Sequence, residues 1–272
     1  MTDRISGSAF KQMITFGAAC VTQQKQAIND LNVFPVPDGD TGTNMSLTIQ
    51  TAVNELKKSE PATVGEAAKI TAGALLRGAR GNSGVILSLL FRGLSKSVKG
   101  LTDMDGVQLA AAMAEGVTTA YGAVMKPAEG TVLTVSRLAA ARAVEAAQEN
   151  PSAEYVLEQA IAAGYETLAQ TIDMNPVLKK AGVVDAGGKG YLIILDGMLR
   201  ALRGEALTQV EEDGEKDQDK ADFGALSLED ITFTYDTVFI VRKRDGVDIG
   251  PYRAYLDSIG AVSYTHLTLP TI

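Results

Sequence analysis

The stretch from Asn32 to Ser46 reads Asn-Val-Phe-Pro-Val-Pro-Asp-Gly-Asp-Thr-Gly-Thr-Asn-Met-Ser, and it limits the fold more than any other part of the chain. Pro35 and Pro37 fix their own φ and push the residues before them toward extended backbone. No helix runs through them, so a stiff strap must separate two helical stretches. Asp38 and Asp40 follow at once. Side chains two apart on an extended chain share a face, so the two carboxylates can converge on one hard cation, while Gly39 and Gly42 let the backbone approach a ligand. Thr41, Thr43 and Asn44 add short polar groups where the next helix starts, and the free N–H groups of that start suit a metal–phosphate complex. The plainer alternative is an acidic turn in which Asp or Thr caps a helix.

Known metal and phosphate loops do not fit. A calcium-sensor loop starting at Asp38 needs an oxygen ligand, Gly and Glu at its fifth, sixth and twelfth positions, where the chain has Gly42, Thr43 and Ile49. The nearest approach to a nucleotide P-loop, Gly188-Lys189, has Val183 in place of the first Gly and Gly190 in place of the hydroxyl residue.

Apolar periodicity predicts a helical fold. Phe10, Met13, Ile14, Ala18, Val21 and Ala27 mark one long helix over 8–30 that feeds the strap. A second helix spans 44–58. Thr63 with Glu66 forms a capping box for a third, reaching Leu76. Gly78 to Gly84 interrupts the pattern before an apolar helix over 85–94. Further helices are expected over 107–125, from a Thr131 cap to Gln148, after Ser152, and over 191–203, the last one following a loop from Ala181 to Gly190. The expectation is a mainly α protein, an antiparallel bundle or barrel of about eight helices over 1–204 with a nucleotide site at one end. Abundant Ala and Gly with only 6% aromatic residues favours closely packed helices.

The net charge of −8 is local: 205–222 holds eight acidic residues against Lys216 and Lys220, which accounts for −6. Residues 205–226 therefore read as an acidic linker. The alternation over 231–241 reads as a strand opening an α/β domain at 227–260, with a helix over 251–259, and the expectation is that this domain is incomplete. Residues 261–272 read as a non-native tail, which carries the single histidine, His266. With that histidine and one cysteine, Cys20, a Cys/His zinc site has no support. No basic patch with interleaved aromatics suggests nucleic acid. No apolar run reaches membrane-spanning length, so a cytoplasmic location is expected.

Asn32 to Met45, Gly81-Asn82-Ser83-Gly84 and Val184-Asp185-Ala186-Gly187-Gly188, in that order, resemble the nucleotide-binding domain of the dihydroxyacetone-kinase family, and most closely its fatty acid kinase catalytic subunits. The resemblance covers roughly residues 1–260. It implies ATP and Mg²⁺ as cofactors, with Asp38 and Asp40 as metal ligands and catalytic groups. The family's third aspartate aligns best with Asn32, allowing one inserted residue, and Asp30 is the other candidate. Arg80 would stabilise transferred charge. The resemblance further implies that Thr41, Thr43, Asn44, Met45, Gly81, Asn82, Ser83, Gly84, Thr131, Asp185 and Gly187 line the nucleotide. On this reading the chain phosphorylates the carboxylate of a fatty acid presented by a DegV-like carrier protein, giving acyl phosphate for phospholipid synthesis. Association into a homodimer is left open. The alternatives are a dihydroxyacetone-type kinase subunit and a non-catalytic nucleotide-binding regulatory module. From the residues alone, the lack of a histidine outside the tail mildly favours an acyl acceptor, because a carboxylate of ordinary pKa needs no general base at neutral pH.

Overall fold

The computed structural model describes residues 2–124, 126–207, 244 and 246–259. In chain order the elements are β1 (Arg4–Ser6), α1 (Gly7–Gln23), α2 (Lys25–Asn29), α3 (Thr41–Lys57), α4 (Val64–Gly78), α5 (Gly81–Ser97), β2 (Asp103–Asp105), α6 (Gly106–Ala123), α7 (Val132–Glu149), α8 (Ala153–Met174), α9 (Pro176–Ala181), α10 (Ala186–Leu202) and α11 (Gly250–Ile259). The protein is mainly α, as its periodicity predicts, and among the described residues eight helices have 15 residues or more. No described helix is long and apolar enough to cross a membrane. The acidic linker beyond Leu207, the strand expected over 231–241 and the tail lie outside the described residues.

The long helices close into a ring. Each of α3 to α8 packs on its successor, α8 packs on α10, α10 on α1 and α1 on α3. Their buried faces, among them Phe10, Met13, Ile14, Ile49, Leu56, Leu75, Leu87, Leu109, Leu157 and Ile194, form one continuous core. The closing contact between α1 and α10 is made at glycines: a Cβ on Gly17 would lie 2.7 Å from the Ile194 carbonyl, and one on Gly197 would lie 2.7 Å from the Gly17 Cα. Only hydrogen side chains permit backbones this close.

Short connections set the direction of every helix. The N-termini of α3, α5, α7 and α10 thus gather at one end of the ring. The other end carries the β1/β2 ribbon, in which Ile5 faces Met104 and both are fully buried. There the Thr2 hydroxyl donates to the Leu202 carbonyl at 3.1 Å.

Caps explain most boundaries. Thr63 accepts the Glu66 N–H at 3.1 Å while Glu66 accepts the Ala62 N–H at 2.9 Å, and Asp105 and Gln108 bond reciprocally at the start of α6. The single helix expected over 8–30 is instead two, divided at Gln24. Thr15 and Thr22 direct their hydroxyls to the carbonyls four residues back, a pattern that bends helices. α10 starts five residues before the expected Tyr191 because Asp185 caps it, and Gly81 opens a helix in place of the expected interruption through Gly84. The β1/β2 pair has no counterpart in the sequence reading, since strands of three residues carry too little alternation to register.

Candidate functional site at the convergent helix N-termini

The strap from α2 to α3 is held by two asparagines three residues apart. Asn32 is 2% exposed: its amide nitrogen donates to the Val36 carbonyl at 2.7 Å and to Asp38 Oδ1 at 3.1 Å, and its Oδ1 accepts the Thr41 N–H at 3.1 Å and the Thr41 hydroxyl. Asn29 Oδ1 accepts the Thr43 N–H at 3.1 Å, and its nitrogen donates to Thr43 Oγ1 at 3.0 Å. Asp40 occupies the N-cap of α3, yet its side chain makes no capping bond. Asp38 is exposed and Asp40 half-buried, so both carboxylates are open to ligand at the start of the helix. Asp30, the rival for the third acidic position, caps the C-terminus of α2 and accepts a bond from Gln26 at 2.8 Å.

The start of α5 lies against this segment. Thr48 Oγ1 accepts the Arg80 N–H at 3.1 Å. A Cβ on Gly81 would collide with the Asn44 amide and one on Gly84 with the Thr48 hydroxyl, so α3 and α5 approach as closely as glycine allows. Gly81 sits at φ +54°, a left-handed conformation that favours glycine. No side chain caps α5; its N-cap is Arg80, which is exposed and adjoins the turn formed by Gly81, Asn82 and Ser83 in sequence. By contrast α4, α6, α7 and α10 are all capped by side chains. The uncapped N-terminus of α5, beside two carboxylates that cap no helix, can take an anion and its counter-cation together.

The remaining predicted residues belong to the same end but are engaged differently. Thr131 caps α7, accepting from the Leu133 N–H at 3.3 Å and donating to the Ala128 carbonyl at 2.8 Å. Asp185 is 5% exposed, accepts the Gly188 N–H at 2.6 Å and also bonds the Val132 N–H, which joins the starts of α7 and α10. Burial away from water pushes its carboxyl up to about 7 against the pull of those two donors. Gly187 faces Val132 across the same seam. Met45 is 1% exposed, and its sulfur lies against Gly190, so it packs the first turn of α3 onto α10. Asn29 and Thr48 escaped the sequence reading. Both sit in helical patterns as ordinary polar residues, and only the approach of another helix gives their side chains a task.

Two carboxylates fit magnesium better than a site built wholly from protein. Among the described residues no three acidic, histidine or cysteine side chains gather as a metal cluster, and Mg²⁺ is commonly held by one or two carboxylates together with substrate phosphates and water.

A model of the DAK2 domain family matches residues 35–200, which contain every residue of this site except Asn29, Asp30 and Asn32. An uncharacterized protein of Staphylococcus haemolyticus (strain JCSC1435) is 43% identical over 246 residues, covering 89% of this chain and 45% of that protein. Uncharacterized proteins of Staphylococcus aureus strains RF122 and USA300 match with the same identity and coverage. The chain thus spans less than half the length of these curated relatives.

Proposed function

Since the chain belongs to the DAK2 domain family, whose modules are kinase-related and bind nucleotide, we propose that it binds Mg²⁺-ATP at the α3/α5 end and transfers the terminal phosphoryl group to the carboxylate of a fatty acid held by a DegV-like carrier protein. One observation carries the metal–nucleotide half: Asp40 stands at a helix N-cap without capping it, because asparagines from α2 and the strap take the helix N–H groups in its place.

Within this reading Asp38 and Asp40 hold the metal. Asn32, whose oxygen is taken up by Thr41, orients Asp38 through its N–H and is assigned that role in place of a metal ligand. Bound magnesium supplies charge compensation on the phosphate oxygens. The uncapped N–H groups at the start of α5 orient the phosphates, and Arg80 adds positive charge where negative charge accumulates. The Asp185–Val132–Gly188 seam keeps α7 and α10 in register beside them.

The acyl half is supported more indirectly. The cavity inside the ring, lined by Leu90, Phe91, Leu109, Met113, Leu157 and Met198, has a volume of about 30 Å³. That is room for only about one or two water molecules and far too little for an acyl chain, so this cavity does not house a lipid acceptor, in keeping with a carrier that presents it from outside. The decisive experiment measures ATP consumption with fatty acid plus carrier against dihydroxyacetone plus its partner subunit. Turnover with the first pair alone supports the reading; turnover with the second makes the chain a ketose kinase subunit, and nucleotide binding without turnover makes it a regulatory module.

A further inference from the structure

Asn29 lies outside every stretch that suggests a nucleotide site, on the last turn of a five-residue helix, and is 9% exposed. Its two amide atoms are both used on Thr43: Oδ1 takes the backbone N–H at 3.1 Å and Nδ2 donates to the hydroxyl at 3.0 Å. Thr43 is the third residue of α3. Its N–H is the group that a side chain at the Asp40 position ordinarily accepts. Asn32 holds the Thr41 N–H at the very start of the helix in the same way. Asp40 therefore has the residue type and position of an N-cap but not the bond.

We propose that Asn29 is a positioning residue: by capping α3 from outside, it keeps the Asp40 carboxylate turned away from the helix and available to the cation. This rests on the Mg²⁺-ATP reading above. Without Asn29, the Thr43 N–H is an unsatisfied donor a few ångströms from an aspartate at the N-cap, and the two pair as they do at most helix starts. The capped carboxylate then has to be pulled off the helix before it can bind metal, and the metal affinity falls by the strength of that cap. Close packing restricts what else can fill the space. A Cβ on Gly42, between the two partners, would lie 3.0 Å from Asn29 Oδ1 and collide with the Lys25 carbonyl, so α2 is pressed directly onto the first turn of α3.

The test titrates Mg²⁺ against binding of ATP, followed calorimetrically, in the full chain and in Asn29→Ala, Asn29→Ser, Asn29→Asp and Asp40→Ala, with a thermal melt of each. Asn29→Ala should raise the Mg²⁺ concentration for half-maximal ATP binding about tenfold, the worth of one cap expressed as a binding constant. Asn29→Ser, too short to reach the Thr43 N–H, should show the same shift with a smaller loss of melting temperature, and it carries the test if the alanine variant fails to fold. Asn29→Asp keeps an acceptor for that N–H and should stay within about threefold of the parent. A purely structural role would lower melting temperature while leaving the Mg²⁺ midpoint in place. That result, with Asp40→Ala abolishing the Mg²⁺ dependence, overturns the inference and leaves the function standing. No Mg²⁺-dependent ATP binding in the parent chain overturns both.

Discussion

The Thr48 hydroxyl accepts the backbone N–H of Arg80 at 3.1 Å while donating to the Asn44 carbonyl at 2.6 Å, so one side chain in the second turn of α3 fixes the residue from which α5 starts. Thr48 is fully buried. Replacing it with valine keeps the volume and leaves the Arg80 N–H without a partner, which should cost about 1–2 kcal/mol in chemical denaturation. ATP affinity should fall as well, because the free N–H groups of α5 lose their fixed position. Unaltered ATP affinity in a destabilised Thr48→Val would separate this bond from the site.

Gly81 combines a left-handed backbone with contact against the Asn44 amide. Gly81→Ala should destabilise the protein by at least about 1–2 kcal/mol from the backbone alone. Nucleotide binding should weaken further, since Asn44 has to move to admit the methyl group. Melting temperature and ATP affinity measured on the same preparation give both effects; an alanine variant equal to glycine in each would show that the turn relaxes freely.

Asp38→Ala and Asp40→Ala should each abolish the Mg²⁺ dependence of ATP binding and leave the helical circular-dichroism signal in place. Neither carboxylate carries a helix: Asp40 caps nothing, and Asp38 is exposed. Retained Mg²⁺ dependence in both variants would remove the metal from this end of the ring.

Asp185 makes stability depend on pH with an unusual sign for an acid. Its folded-state pKa of about 7 lies above the value near 3.9 of an unfolded aspartate, so between these limits the folded protein binds more protons than the unfolded chain. Its contribution is complete below about pH 4, declines as pH rises toward 7 and is lost above that. Asp185→Asn, which keeps an acceptor for the Gly188 N–H, should remove this slope. Comparing the two proteins by thermal melting from pH 5 to 8, the parent should lose ground steadily against the variant. Parallel curves would mean that the carboxyl titrates normally.

The sequence made the helices legible because each carries a long apolar stripe and, in most cases, a cap. Thr63 with Glu66 and the Pro-rich strap are readable from neighbouring residues alone. Asp38 and Asp40 stand out for the same reason, as their spacing encodes a shared face. What the sequence does not display is which polar groups are already occupied. Asn32 reads from the sequence as a metal ligand and Thr131 and Asp185 as ligand contacts, but the sequence does not reveal that their oxygens also take the N–H groups of Thr41, Leu133 and Gly188. Asn29 is the converse case, a residue with no local signature whose partner lies 14 positions away. The early start of α10 was hidden because Gly187, Gly188 and Gly190 are poor helix formers. Val135 and Met45, packed against Gly188 and Gly190, fill the space that side chains there would need.

The Gly17–Gly197 crossing joins the first long helix to the last, which gives the ring a cyclic order with no intrinsic beginning. On a ribosome this has a temporal consequence. Helix α1 emerges before the rest of the ring, yet the partner for its glycine face is synthesised some 180 residues later, so a nascent chain carries that groove open while the eight helices α2 to α9 are made. Thr2 and Leu202 then meet across the seam. Closure is thus a single late event of very long sequence separation, and it falls on the helix whose start, at Asp185, shares an end of the ring with the starts of α3 and α5.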